Sequence, residues 1–227
     1  RYYDIQHIPL ILEANQSWAR GRRRYDIRSF GMLLALYMYS GIRKTEAITL
    51  PLSQVRLYDD HMVVYGKFSE ERNVPIFPAL KQYIQEWLEY RQKAVEGWIE
   101  KGYEVQDLLV PDYDGSQITE DALNCRFRRF NKSKQMQELN IKVWPHDLRR
   151  TFAHVAAKHG MPAALIQIAL GHKDAVTTNS YMMLGTKDLL DWIRNNQSGI
   201  FTPPMPQGTP YAPSSHQPVY IPQSISY

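Results

Sequence analysis

The sequence predicts a mainly α-helical chain with one small three-stranded antiparallel sheet, an α+β class. Three observations predict it. Residues that follow the helical period recur through most of the chain, as at Leu80, Tyr83, Ile84, Trp87, Leu88 and Arg91. One stretch, residues 54–77, instead breaks into short strand-forming runs separated by turn residues. Three helical segments start on prolines, at Pro78, Pro145 and Pro162, and three stop on glycines, at Gly41, Gly160 and Gly171, as backbone chemistry favours.

Ile5, Ile8, Leu10, Ile11 and Leu12 predict a first helix over residues 4–18. A basic stretch follows, with Arg20, Arg22, Arg23 and Arg24. A strongly apolar helix runs from Tyr25 to Tyr39, and Gly41 closes it. A short helix covers Lys44 to Leu50. The strand candidates are Gln54–Tyr58, Met62–Tyr65 and Asn73–Phe77, with turns at Asp59-Asp60 and Phe68–Glu71. A long amphipathic helix spans Pro78–Lys101, and Leu108–Val110 reads as a short extended segment. Thr119 begins the next helix, with Glu120 and Asp121 where the helix dipole favours acids. Its end carries Arg126, Arg128, Arg129, Lys132 and Lys134. Pro145 opens a helix that reaches Lys158, and Pro162 opens another that stops at Gly171. A helix over Asp174–Leu184 carries Tyr181, and Thr186 caps a last helix, Lys187–Asn196. The final 30 residues hold seven of the 14 prolines and no Lys, Arg, Asp or Glu, so an irregular or polyproline-like extension is expected.

At 227 residues, the chain is one large domain, or one domain plus a tail. Its apolar fraction of 44% is ordinary for a globular protein. No run of 18 apolar residues suggests a transmembrane helix, so no membrane role is expected. Arg1 stands where an initiator Met would, and no apolar signal core follows it, which reads as an excised fragment. A single cysteine, Cys125, excludes an intrachain disulfide framework and fits a reducing compartment. The net charge of +4 is mildly basic, so the local clusters say more about an anionic partner than the total does.

Six residues lie in contexts that fit one kind of chemistry. Arg43 lies in Gly41-Ile42-Arg43-Lys44-Thr45-Glu46, just after an apolar helix and its closing glycine. Lys67 follows Gly66 in the expected hairpin. His146 and Arg149 form H-x-x-R in Pro145-His146-Asp147-Leu148-Arg149. His172 ends Leu170-Gly171-His172, and Tyr181 follows nine positions later. Three cations, two imidazoles and a phenol suit attack on a phosphodiester. Guanidinium is a permanently charged planar fork that matches phosphate oxygens. Imidazole exchanges protons near neutral pH. A phenol can attack phosphorus and store the broken bond as a covalent ester.

The order and spacing of these motifs resemble the catalytic domain of tyrosine recombinases, the phage-integrase family, from about residue 4 to residue 196. The resemblance implies that fold for residues 1–197, followed by a Pro-rich tail at 198–227. It also implies that a separate N-terminal DNA-gripping domain is missing. The implied activity is site-specific recombination of double-stranded DNA through a 3′-phosphotyrosyl intermediate, with no metal or ATP. In this reading Tyr181 is the nucleophile, Arg43 and Arg149 clamp the scissile phosphate, and His146 and His172 donate hydrogen bonds and assist proton transfer. Lys67 protonates the departing 5′-oxygen. The expected state is a homotetramer on paired sites, coupled through the tail, with accessory directionality factors, in the cytoplasm at the nucleoid. Arg20, Arg22, Arg23, Arg24, Arg126, Arg128, Arg129 and Lys132 are the expected DNA-phosphate contacts. Arg150 stands where the family often has His. His61, His154, His159 and His216 read as structural, and zinc binding by the histidines lacks acidic or cysteine ligands at suitable spacing. Type IB topoisomerase chemistry and a catalytically silent DNA-binding relative remain as alternatives.

Overall fold

The computed structural model describes residues 1–18, 24–66, 71–171 and 185–196. In order, the elements are α1 (His7–Ser17), α2 (Arg24–Ser40), α3 (Lys44–Ile48), β1 (Val55–Arg56), β2 (His61–Tyr65), β3 (Glu71–Pro75), α4 (Pro78–Ile99), α5 (Glu120–Asn131), α6 (Lys134–Glu138), α7 (Pro145–Lys158), α8 (Ala163–Leu170) and α9 (Thr186–Asn195). The class is the one the sequence predicts: helices around one small antiparallel sheet of order β1-β2-β3.

The molecule is built around α2. Its apolar run is buried on all sides, from Met32 through Tyr39, because α1, α4 and α7 each pack against it. A helix apolar all round is stable only in such a position. Asn15 on α1 donates to the Ile27 carbonyl at 3.0 Å and fixes how the two helices cross. The Trp87 indole and Arg91 guanidinium of α4 donate to the carbonyls of Leu109 and Leu108, at 2.7 and 3.1 Å. Residues 108–110 are therefore a buried irregular segment tied down by side chains, and not the extended segment expected.

The sheet departs from expectation at its edges. β1 is only two residues long. β3 begins at Glu71, two residues before the expected start, because Tyr65 pairs with Glu71 and Val64 with Arg72. Ser133 caps α6, accepting from the Met136 N–H at 3.4 Å, so Lys134 belongs to α6 and not to the end of α5. The buried Asn131 side chain exchanges two hydrogen bonds with Val143, which turns the chain from α5 toward α7. Thr119 caps α5 as expected. The last helix is capped by Gly185 and not by Thr186: the Asp188 carboxylate accepts the Gly185 N–H at 2.6 Å.

Candidate active site at the end of α8

The site forms where α2, α7 and α8 converge. Gly41 has a φ of +63°. A Cβ there would lie 2.6 Å from Phe152 and 2.8 Å from Leu170. Both facts require glycine, the first through left-handed backbone and the second through space. Two residues on, Arg43 starts α3 and is fixed by Glu46. The Glu46 carboxylate accepts the Arg43 N–H at 2.8 Å and its Nη1 at 2.7 Å.

Helix α7 opens on Pro145, and His146 and Arg149 lie three positions apart, so they share a face. His146 and Arg150 are exposed, whereas Arg149 is half-buried. Arg149 donates to the carbonyls of Gly41 and Leu170, both at 2.5 Å.

The organising feature is the C-terminal end of α8. Gly171 is left-handed there and closes the helix. The end of a helix leaves carbonyls without partners and carries partial negative charge. Here three successive carbonyls each receive a guanidinium. Arg72 donates to Ala169 at 2.6 Å, Arg149 to Leu170, and Arg43 to Gly171 at 2.8 Å. Arg72 also donates to Glu46 at 2.6 Å. Three guanidiniums thus gather at one helix end, two of them on one carboxylate, leaving a net positive charge there.

The titration behaviour follows from this crowding. Burial, and then the neighbouring charges of Arg72 and Arg43, bring Arg149 down to about 10, so it still carries its proton at neutral pH. Burial alone would raise Glu46, but the Arg72 charge and the hydrogen bonds from Arg72 and Arg43 outweigh it and hold the carboxyl below its ordinary value. Burial lowers Arg72, and Glu46 opposes that effect.

The structure therefore brings Arg43 and Arg149 together, with His146 on the same helix as Arg149. Lys67, His172 and Tyr181 lie outside the described residues, as do Arg20, Arg22, Arg23, His216 and residues 197–227. Arg24 opens α2, and its side chain is likewise not described. Arg128, Arg129 and Lys132 are exposed along and just after the end of α5. Arg126 departs from the expected DNA face. It turns inward to pair with the half-buried Asp112 carboxylate at 2.6 Å and is only 15% exposed. Lys44 pairs with Glu120, away from Arg43. His154 pairs with Asp4, and His61 and His159 face backbone carbonyls, as structural histidines do. Among the described residues, no group of His, Cys, Asp and Glu could hold a metal ion. Sequence reasoning missed Arg72. Its partners, on α3 and α8, are distant in sequence, so no local signal marked it.

The helices around one small antiparallel sheet form the fold of tyrosine recombinases. The chain belongs to the phage integrase family, whose family model it matches over residues 6–187. It is 32% identical over 165 residues to the tyrosine recombinase XerD of Pseudomonas aeruginosa, covering 73% of this chain and 52% of that protein. It is 29% identical over 165 residues to XerD of Proteus mirabilis, covering 72% and 50%. The crystal structure of XerA recombinase superposes with a TM-score of 0.60 at 20% identity, covering 86% of this chain and 64% of that one. The XerH site-specific recombinase bound to its difH substrate gives 0.59 at 22% identity, covering 78% and 48%. The chain spans about half the length of the curated relatives it matches.

Proposed function

We propose that this chain is the catalytic part of a site-specific DNA recombinase that breaks and rejoins one strand through a phosphotyrosyl link. The observation that carries this reading is the set of guanidiniums held on the end of α8. Their remaining N–H groups form a preorganised cationic surface for a non-bridging phosphate oxygen pair. Arg43 and Arg149 are the clamp, and His146 and His172 add hydrogen bonds that tighten as phosphorus becomes pentacovalent.

The Tyr181 phenol attacks the phosphorus, forming the phosphotyrosyl bond as the bond to the 5′-oxygen breaks. The phenol proton passes to a neighbouring base, and Lys67 supplies a proton to the 5′-oxygen. The energy of the broken linkage stays in the ester, so a 5′-hydroxyl can reverse the step and rejoin the strand without ATP. Residues 1–197 form this domain and 198–227 the tail. The whole protein works as a tetramer on paired DNA sites, with exposed cations such as Arg128, Arg129 and Lys132 on phosphates.

The test works without a defined target sequence. A pool of nicked duplexes with a randomised arm is offered to the chain, and DNA that resists boiling in detergent is recovered and amplified. Enriched sequences bound covalently to the protein are expected. A pool that yields no adduct after repeated rounds overturns the reading. Efficient relaxation of supercoiled plasmid without paired sites would favour topoisomerase chemistry instead.

A further inference from the structure

Arg72 is the most enclosed of the three guanidiniums on α8, and no motif singles it out. It lies on β3 opposite Val64, with its side chain 14% exposed. One arm donates to the Ala169 carbonyl and the other to Glu46 Oε2, both at 2.6 Å. The aliphatic part of the side chain crosses directly over Gly171. A Cβ on that glycine would lie 2.5 Å from Arg72 Cδ, so the missing side chain is what admits the arginine. Arg72 thereby ties the hairpin strand to both the start of α3 and the end of α8.

Glu46 is the reason this matters. Its side chain is 2% exposed, and its two oxygens receive Arg43 on one side and Arg72 on the other. A buried carboxylate facing Arg43 alone would form a closed ion pair and cancel most of that charge. With two cations on it, the anion is divided. Arg43, 40% exposed, keeps positive charge toward its open side. On the reading of this domain as a DNA strand-cleaving one, we propose that Arg72 is a positioning residue whose charge offsets Glu46, so that Arg43 remains electrostatically free to hold the scissile phosphate. It touches no reacting atom itself.

The test is single-turnover adduct formation by the full 227-residue chain, using the nicked duplex enriched by covalent capture. DNA affinity and Tm are measured alongside. Arg72→Met is expected to slow cleavage by about 100-fold, the lower end of the scale for losing one preorganised transition-state charge. Its DNA affinity should stay within about threefold, since affinity rests on many phosphate contacts. Arg72→Lys keeps the charge and should lie within about tenfold of wild type. The informative variant is the double one, Arg72→Met with Glu46→Gln. It removes the anion that Arg72 was offsetting and should cleave at least about tenfold faster than Arg72→Met alone. A merely structural cross-link predicts the reverse sign, with each loss deepening the other. Should Arg72→Met not fold, Arg72→Gln takes its place in the same cycle with the same expectation. Wild-type cleavage by the neutral variant, a lysine variant as slow as the neutral one, or a double variant no faster than the single overturns the proposal. If the wild-type chain forms no adduct, the recombinase reading falls and takes this inference with it. A wild-type adduct with the wrong variant pattern overturns only the role of Arg72.

Discussion

Arg149 shows how anchors fix a single side chain. Two of its N–H groups are held by the Gly41 and Leu170 carbonyls, which fixes the plane of the fork before any ligand arrives. Arg43 is fixed in the same manner by Glu46 and Gly171. Preorganised donors of this kind lose no energy to reorientation at the transition state. Arg43→Ala and Arg149→Ala should therefore each slow single-turnover cleavage by at least about 100-fold. Lysine at either position should restore only part of the rate, because a point charge cannot span two carbonyls and a phosphate. Adduct formation at saturating DNA measures this, and a near-normal rate for either alanine variant would remove that arginine from the site. Both arginines stood out as candidates in the sequence because each sits in a recognisable local context. Arg72 was not: a lone arginine in a strand reads as a solvated cross-strand residue, and its partners come from α3 and α8, 26 and 97 positions away.

At the scale of elements, the end of α8 does the organising, and the crossing at Gly41 holds that end in place. Gly41→Ala must accept left-handed backbone, a cost of about 1–2 kcal/mol, and must also push Phe152 and Leu170 apart. It should lower stability by about 2–4 kcal/mol, seen as a fall in Tm, and cleavage should fall with it because Arg149 loses its anchor. An unchanged Tm would show that the three helices do not depend on this contact. Helix α4 supplies a pH prediction. Burial raises Glu86 to about 7, more than Gln82 and Arg28 lower it. A carboxyl raised in the folded state holds protons that the unfolded chain releases. It therefore costs stability progressively as pH rises from the unfolded value through about 7. Glu86→Gln should leave stability nearly unchanged at low pH and raise it above neutrality. The gain should be about 1 kcal/mol once solvent screening of a half-exposed group is allowed for. Equal effects at both pH values would contradict the assignment. Among the described residues, helices such as α2, α4 and α7 were readable because their periodicity and end signals agree; α6 was not, and the helix expected over residues 174–184 lies outside the described residues. β3 began early because cross-strand pairing with β2, and not local propensity, sets where a strand starts.

At the scale of the molecule, the buried α2 is the axle on which α1, α4 and α7 are mounted, and the site lies at its far end. The family was legible because five motifs fall in one order, and the family model spans residues 6–187. The detailed wiring was not legible, since it joins segments distant in sequence. The uncharged tail carries spaced apolar residues, among them Ile200, Phe201, Met205, Tyr211, Val219, Tyr220 and Ile221. Proline restricts such a segment in advance and lowers the entropy lost on docking. Deleting residues 198–227 should weaken multimer assembly on DNA and alter the cleavage rate. Equal assembly, rate and Tm for the truncated and full chains would show that the tail has no coupling role.

The central claim is that Arg43 and Arg149, anchored on the end of α8, hold a phosphate for attack by a tyrosine. Peptide mapping of the captured adduct, run in parallel with Tyr181→Phe, tests it most directly. A DNA remnant on the peptide containing Tyr181, with no adduct from Tyr181→Phe and DNA affinity within about threefold, is the result expected. A phosphotyrosyl adduct that persists in Tyr181→Phe, or a remnant mapped to a different residue, would contradict it.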